Sequence, residues 1–337
     1  MKKIYFVAAI IAVATVACSK NEQPGQDSTN RIESFTMSMP DMQNGTETKT
    51  GLILAGGKYN KLVWKEYDEL VVTTQEELNA KGGNEFYYNT YYTTSNNVDV
   101  ADFQYKSQTG GDFATGTNYA VFYTLGSNPR RHVTFMAVEV PPTQSYAENS
   151  IQSGRMPMLG YGPDLKSMSM KCLANIVRLQ FYSTEDNVTI TSITLESTVT
   201  GSGTDNGKYA IAGPIALDKS KLASYVADPT TTSLWSIDSI ISSSINYNCT
   251  GSDPLADNAG AATAFNIVIS DNNKDVKDEF DNEPYQIRAT INWKKAGVAQ
   301  TARVKILASL TAEQRSKTGT VFTFPAVDIS NDSAGWD

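Results

Sequence analysis

The chain has 337 residues and a formal net charge of −8, with 28 lysine and arginine residues against 36 aspartate and glutamate residues. Nucleic-acid binding needs a basic surface that neutralises phosphates, and the longest basic cluster here is Arg130–His132. The composition therefore excludes nucleic acid as an expected partner and is typical of an acidic exported protein.

The N-terminal residues have the pattern of an export signal followed by a polar tether. Residues 4–17 carry no charge, and this run is shorter than the about 20 apolar residues that a membrane-spanning helix needs. Ala17 followed by Cys18 resembles the bacterial lipoprotein signal, in which the cysteine is acylated. We predict a signal peptide at 1–17, lipidation at Cys18 and a tether at 18–30; plain secretion after Ala17 is the alternative.

Alternating apolar and polar residues dominate the rest of the chain. In YQIRATINW (285–293) the apolar side chains share one face, which is typical of a half-buried strand. IVRLQFY (176–182), AFNIVIS (264–270) and ARVKILASL (302–310) alternate in the same way, the last with Val304, Ile306, Ala308 and Leu310 predicted to face inward. Helical spacing is scarce: it occurs in SLWSIDSIISSSI (233–245), and short helices are also predicted in QEELNAK (75–81) and DKSKLASYV (218–226).

About 320 mature residues exceed what one hydrophobic core usually supports, so two domains are expected. Gly, Pro and Asp in GYGPDLKS interrupt two strand-rich halves, which predicts an N-terminal domain at 31–165 and a C-terminal domain at 166–337. Many short strands separated by turn residues indicate an all-β fold of β-sandwiches. Cys172 and Cys249 either pair or remain two buried free thiols, and we favour the free thiols.

The residues that usually carry catalysis or bind metal do not form a pattern here. The single histidine, His132, follows two arginines and is interpreted as a solvated loop residue. Asp271, Asn273 and Asp275 alternate like the start of a calcium loop, but Val276 stands where the sharp turn needs glycine. We therefore predict no metal site, no cofactor and no enzymatic activity. A hydrolase with unidentified paired carboxylates remains a minor alternative.

The aromatic segment EFYYNTYY (85–92) has two interpretations. Exposed tyrosines such as Tyr88 and Tyr92 could stack on sugar rings and bind glycans. Tyrosines that alternate on a strand would instead pack one face into the core, and this second interpretation is favoured.

Several ordered segments together resemble the fimbrillin family, which supplies the type V pilus subunits of Bacteroidetes. They are LVWKEYDELVV (62–72), VEVPPTQSYAENSI (138–151), MPMLGYG (156–162), MKCLANIVRLQFYS (170–183), ITSITLEST (190–198), KYAIAG (208–213), AFNIVIS and PYQIRATINW (284–293). The resemblance runs from about residue 31 to 324. It implies two transthyretin-like Greek-key β-sandwich domains in tandem, a lipoprotein at the outer membrane and cell surface, and release of polymerising subunits by a trypsin-like protease that removes the first strand.

Carried over to this sequence, RIESFTMSMP corresponds to the strand that would be removed. Its alternating apolar residues are Ile32, Phe35, Met37 and Met39. The basic residues at its borders, Arg31 and Lys49, are the candidate cleavage positions. A cut after Arg31 would leave the strand in place, whereas a cut after Lys49 would release the lipid and the strand together.

The donor strand implied by the resemblance is GTVFTFPAVDIS, within 319–331. The residues expected to carry the exchange are Val321, Thr323, Val327 and Ile329. Pro325 removes one ladder hydrogen bond and suggests either a bulge or the self-complemented end of a tip or anchoring subunit. In the other interpretation, residues 319–331 complete their own domain.

The resemblance therefore predicts a structural or accessory subunit of a cell-surface fimbrium that exchanges β-strands with other fimbrial subunits. Its expected partners are those subunits, the outer membrane through the lipid anchor, and a host or glycan ligand. The alternative is a monomeric surface lipoprotein that binds glycans or host ligands.

Overall fold

The structure is a computed structural model that describes thirteen ranges of the chain. They are residues 32–40, 43–45, 62–79, 87–110, 118–123, 130–131, 135–148, 150–152, 154–199, 211–227, 242–270, 285–307 and 319–336. All of them belong to one compact unit, Ile32–Asp337. The predicted signal and tether, Cys18, Arg31, Lys49 and His132 lie outside these residues.

Strands make up most of the described residues, which confirms the predicted all-β sandwich class. In chain order they are β1 Ser34–Ser38, β2 Gln43–Gly45, β3 Glu69–Thr74, β4 Tyr88–Tyr92, β5 Val100–Thr109, β6 Tyr119–Tyr123, β7 Arg130–Arg131, β8 Phe135–Val140, β9 Thr143–Ser145, β10 Met158–Gly162, β11 Lys171–Cys172, β12 Asn175–Tyr182, β13 Val188–Val199, β14 Gly213–Asp218, β15 Ser244–Asn248, β16 Thr263–Ile269, β17 Tyr285–Lys295, β18 Val298–Ala299, β19 Arg303–Ile306, β20 Thr320–Thr323 and β21 Val327–Asp328.

The helices of the described residues are short and fall in two of the three segments predicted to contain them. The third segment, 233–245, ends in strand β15 rather than in a helix, and its residues 233–241 lie outside the described residues. They are α1, Gln75–Asn79, and α2, Leu222–Ala227, with 3₁₀ turns at Leu165–Ser167, Lys219–Lys221 and Ala259–Ala261. Asp218 begins the turn before α2, where its side chain accepts a hydrogen bond from the backbone N–H of Ser220.

The strands form four sheets. The largest has the order β1-β5-β4-β3-β6-β10-β11, and the smallest has the order β14-β8-β7. The second has the order β16-β12-β20-β2, with β21 also on β12, and the third has the order β18-β17-β13-β15-β9, with β19 also on β17. Side chains of β12 and β17 line one apolar cavity, so the second and third sheets face each other.

Four strand pairs of the described residues join the two halves of the chain across the predicted boundary between residues 165 and 166. β2 runs parallel to β20, β9 runs parallel to β15, β8 pairs antiparallel with β14, and β10 pairs antiparallel with β11. Each pair contributes one strand from each half, so sheets are shared between them. Two independently folding tandem domains therefore stay a prediction, as does their transthyretin-like topology.

The predicted alternation is confirmed on β17, where Ile287, Ala289, Ile291 and Trp293 are all buried. On β12 and β16 both faces are buried instead. Arg178 and Asn266 are 4% and 1% exposed, and the Arg178 Nε donates a hydrogen bond to the Asn266 side chain at 2.9 Å. Ser150 lies against this polar face, because the Asn266 side chain donates a hydrogen bond to the Ser150 carbonyl at 3.0 Å. The Gln144 side chain bonds both backbone groups of Val268.

The inward face predicted for 302–310 is wrong on β19. Ile306 is 45% exposed, whereas the following residue, Leu307, is 4% exposed. The reason lies in the basic residues of the strand: Arg303 lies over the Trp293 ring, so its long side chain takes the covered position. Ala308 and Leu310 lie outside the described residues.

Candidate strand-exchange site

β1 is the end strand of the largest sheet as described. It pairs antiparallel with β5, which places Phe35 opposite Phe103 and Met37 opposite Ala101. Its apolar and polar residues alternate in the sequence SFTMS, so one face turns to the core and the other to solvent.

The inward side chains of β1 fill an aromatic part of the core. Phe35 is 4% exposed and Met37 is fully buried. The Phe35 ring meets Tyr91 edge-on at 4.8 Å and stacks on Phe103 at 6.0 Å between ring centroids. Burying Phe35 and Met37 contributes about 3–6 kcal/mol, at about 1.5–3 kcal/mol for each side chain.

The remaining two apolar residues predicted for this strand lie at its ends. Ile32 and Met39 are partly buried and pack against the same core. The structure therefore brings Ile32, Phe35, Met37 and Met39 together along one continuous line of core contact. Without this line of side chains, the aromatic groove beneath would be open to water.

Two buried side-chain donors bind the backbone of β1 and of the residues just before it, and neither contact was predictable from the sequence. The Tyr91 hydroxyl donates a hydrogen bond to the Ile32 carbonyl at 2.8 Å, and the Trp64 indole N–H donates one to the Met37 carbonyl at 3.0 Å. Burial raises the pKa of Tyr91 to about 12, which keeps this hydroxyl a donor. Removing the strand would leave both donors without their carbonyl acceptors, and another extended segment could supply such acceptors again.

The C-terminal segment, residues 319–331, lies within its own chain. β20 runs parallel to β12 with Val321 opposite Ile176, and β21 continues along the same strand with Val327 opposite Phe181. Val321 and Ile329 are buried, whereas Thr323 and Val327 are half-buried. In this conformation the segment completes its own fold. This agrees with the second interpretation of the sequence, in which residues 319–331 complete their own domain and are not a donor strand.

The middle of the C-terminal segment is loosely packed. The pairing with β12 stops after Thr323 and resumes at Val327, with Pro325 exposed between them. Beneath this break lies an apolar cavity of about 300 Å³. Side chains that line it are Leu179, Phe181, Ile291, Leu307, Phe324 and Val327. Side chains that line such a space lose dispersion contacts on that side.

A cluster of cationic, acidic and aromatic side chains links the end of the chain after the C-terminal segment to β19. We call this cluster the C-terminal clasp: Arg303, Lys305, Asp332 and Trp336. Trp336 lies near both cations, with 5.7 Å from the Arg303 guanidinium and 5.4 Å from the Lys305 ammonium to its ring centroid. Arg303 also forms an ion pair with Asp332, and the Lys305 ammonium donates to the Gly335 carbonyl at 3.0 Å. The sequence did not predict this cluster.

Asp328, a residue of β21, stabilises this strand through hydrogen bonds of its side chain. Its carboxylate accepts hydrogen bonds from the Ser330 hydroxyl at 2.6 Å and the Thr184 hydroxyl at 2.8 Å. Burial acts to raise the pKa of Asp328, but the hydrogen bonds outweigh it and hold that pKa below its usual value. The carboxylate therefore remains charged and bonded at neutral pH.

The tyrosines proposed for glycan contact lie on β4. Tyr88 is only 8% exposed and packs in the core, so it presents no ring face on which a sugar could stack. Tyr92 is half-buried. For Tyr88, the favoured interpretation of segment 85–92 therefore holds: its side chain packs into the core.

The described residues also bear on the thiols and on metal binding. Cys172 and Cys249 are both buried thiols that do not form a disulfide, as predicted, and burial raises the pKa of Cys172 to about 12. Within the part of the chain that the structure describes, no three His, Cys, Asp or Glu side chains are grouped so that they could hold a metal ion. None of the helices described has the length and apolar composition to cross a membrane.

No family model and no curated protein matches this sequence. One similar solved structure is a candidate cell adhesion protein from Bacteroides ovatus ATCC 8483, with 7% sequence identity, a TM-score of 0.44, and coverage of 91% of this chain and 96% of that chain. Another is a candidate cell adhesion protein from Bacteroides fragilis NCTC 9343, with 10% identity, a TM-score of 0.40, and coverage of 90% and 96%.

Proposed function

We propose that the protein is a structural or accessory subunit of a cell-surface fimbrium, assembled by β-strand exchange with the groove beneath β1 as the accepting site. The observation that carries this proposal is the position of β1, an end strand whose Phe35 and Met37 fill the core. An end strand can be withdrawn with the loss of few backbone pairs. The groove it leaves is apolar and contains unmatched donors, so it favours binding of another extended segment.

The proposed donor is the C-terminal segment of a neighbouring subunit. It has two short stretches of ladder separated by Pro325, so it can change partners without disrupting a long continuous strand. If its own sheet retains it, the chain accepts a strand and donates none, which is the accessory form of the proposal. The predicted lipid on Cys18 would hold the precursor at the outer membrane, and assembly rather than catalysis is the proposed activity.

The test uses a chain in which a site-specific protease sequence replaces residues 46–50, so that cleavage frees the segment that contains β1. After cleavage we expect detergent-resistant oligomers, measured by light scattering and by unheated gel electrophoresis. Cleaved chains that remain single at high concentration would contradict assembly by strand exchange, whereas the uncleaved chain is expected to stay single.

A disulfide variant tests the donor. The hydroxyl oxygens of Ser183 and Ser330 lie 3.1 Å apart, so Ser183→Cys with Ser330→Cys is suited to lock the segment to β12. We expect the oxidised, cleaved double variant to remain single and to form oligomers after reduction. Ser183→Cys alone is the control. Equal oligomerisation of the oxidised and reduced forms would contradict a C-terminal donor.

A further inference from the structure

The N-terminal segment, of which residues 32–40 and 43–45 are described, contacts both elements of the proposed exchange. Its first strand, β1, pairs with β5 in the largest sheet. Its second strand, β2, begins five residues after β1 ends and pairs in parallel with β20 in a different sheet. One short stretch of chain therefore covers the accepting groove and also flanks the C-terminal segment.

The pairing of β2 with β20 protects an edge. In its sheet, β20 lies between β12 on one side and β2 on the other, with Gln43 opposite Thr320, Asn44 opposite Val321 and Gly45 opposite Phe322. If β2 leaves, β20 becomes the end strand of this sheet as described. An end strand presents unpaired backbone groups and opens more readily than a strand with neighbours on both sides.

We infer that residues 32–45 form a double restraint which keeps the protein from assembling: β1 closes the accepting groove and β2 holds the C-terminal segment in its own sheet. A cut after residue 45 removes both restraints together, whereas a cut between β1 and β2 opens the groove alone. This inference deepens the proposed function and rests on it for the final step, the transfer of the strand. The restraint on β20 itself is a property of the single chain.

The restraint on β20 is tested in the uncleaved chain by hydrogen exchange. Replacing Gln43–Gly45 with three prolines removes every backbone donor of β2 and leaves the sequence of β1 unchanged. We expect the amides of Val321–Thr323 to exchange about tenfold faster or more, a factor that corresponds to about 1.4 kcal/mol. Replacement by three alanines, which keep their N–H groups, is the matched control and should leave these rates unchanged.

The other outcomes of this exchange experiment contradict the inference. Unchanged rates at Val321–Thr323 in the proline variant would show that β2 does not restrain β20. An equal rise at the amides of β13 and β17, distant strands of the third sheet, would show general destabilisation rather than release of one strand. Neither of these rates depends on strand exchange. The experiment can therefore contradict the inference without contradicting the proposed function, and the reverse.

Two cleavage positions test whether the removal of β1 and the removal of β2 are both needed for rapid assembly. Chains with a protease sequence at 40–42, before β2, or at 46–50, after it, are cut and mixed with a labelled peptide of residues 32–40. We expect both to bind the peptide, because both lose β1, but only the chain cut after β2 to oligomerise rapidly when no peptide is added. Equal rates of oligomerisation would overturn the double restraint while leaving strand exchange intact.

Discussion

Asp328 is the single residue whose charge most directly affects the C-terminal segment. Because the folded-state pKa is lowered, its stabilisation is present at neutral pH and is lost as the pH falls below about 4, through the folded-state pKa. We expect Asp328→Asn to lower the free energy of unfolding by about 1–3 kcal/mol at pH 7, measured by urea unfolding. The difference from the unmodified chain should shrink at pH 3, and an equal loss at both pH values would contradict the charged hydrogen-bond network.

Asp186 provides the matched control for this substitution. It follows Thr184, a hydrogen-bond partner of Asp328, by two residues in the chain, but it is exposed. Asp186→Asn should change the free energy of unfolding by less than about 0.5 kcal/mol at either pH, as is usual for surface substitutions.

The two buried thiols give a second prediction for single residues. Burial raises the pKa of Cys172 to about 12 and raises that of Cys249 as well, so little reactive thiolate is present near neutral pH. With Cys18→Ser in place, iodoacetamide at pH 8 should label neither thiol in the folded chain and both after unfolding. Rapid labelling of the native chain would show that one of these sites opens readily.

The sequence correctly predicts which side chains of a strand are buried only where the opposite face of that strand is exposed to solvent. Strict alternation correctly predicts the buried residues of β17, because its polar side chains point outward. It fails on β12 and β16, because a distant part of the chain contacts their polar face: Asn266, which binds Arg178, also donates to the Ser150 carbonyl. It also fails at Ile306, since the aromatic rings that cover the basic face of β19 are remote in sequence.

Among the elements, β1 has the clearest energetic role. Phe35→Ala should destabilise the chain by about 3–5 kcal/mol and Met37→Ala by about 2–5 kcal/mol, because each leaves a cavity in a packed core. Ser34→Ala, on the exposed face of the same strand, is the control and should have little effect. Thermal and urea unfolding provide the measurement. Losses below 1 kcal/mol for both core substitutions would show that β1 is not an integral strand.

The C-terminal clasp makes a separate prediction about an element. Trp336→Ala removes the ring that contacts both Arg303 and Lys305, and we expect a loss of about 1–3 kcal/mol in the free energy of unfolding. Trp336→Phe keeps an aromatic face and should retain part of the stability. If the alanine and phenylalanine variants were equally unstable, the contact between the ring and the cations would not explain the effect.

Which segments form strands and short helices follows from local chemistry, but which strands become neighbours does not. Apolar alternation and the polar caps of α1 and α2 are visible over a few residues. The parallel pairing of β2 with β20 joins residues more than 270 positions apart and involves the short sequence QNG, which carries no strand signal. The clasp likewise depends on a tryptophan that only the tertiary fold brings to β19.

For the whole molecule, we predict that one strand of the fold is replaceable. The shared sheets join the two halves of the chain, so a subunit that loses residues 32–45 should keep most of its strands and lose chiefly the cover of one groove. Circular dichroism of the cleaved and washed chain should therefore remain that of a β protein. A collapse of the β signal would mean that the N-terminal segment is required for folding as a whole.

The most direct measurement is the binding of a labelled peptide of residues 32–40 to the chain cleaved at 46–50 and freed of its N-terminal fragment. Fluorescence anisotropy should give saturable binding, since the peptide returns Phe35 and Met37 to their places between Tyr91 and Phe103. A peptide with serine at positions 35 and 37 should bind far more weakly. Absence of binding, or equal binding of both peptides, would contradict the claim that the groove beneath β1 accepts a strand.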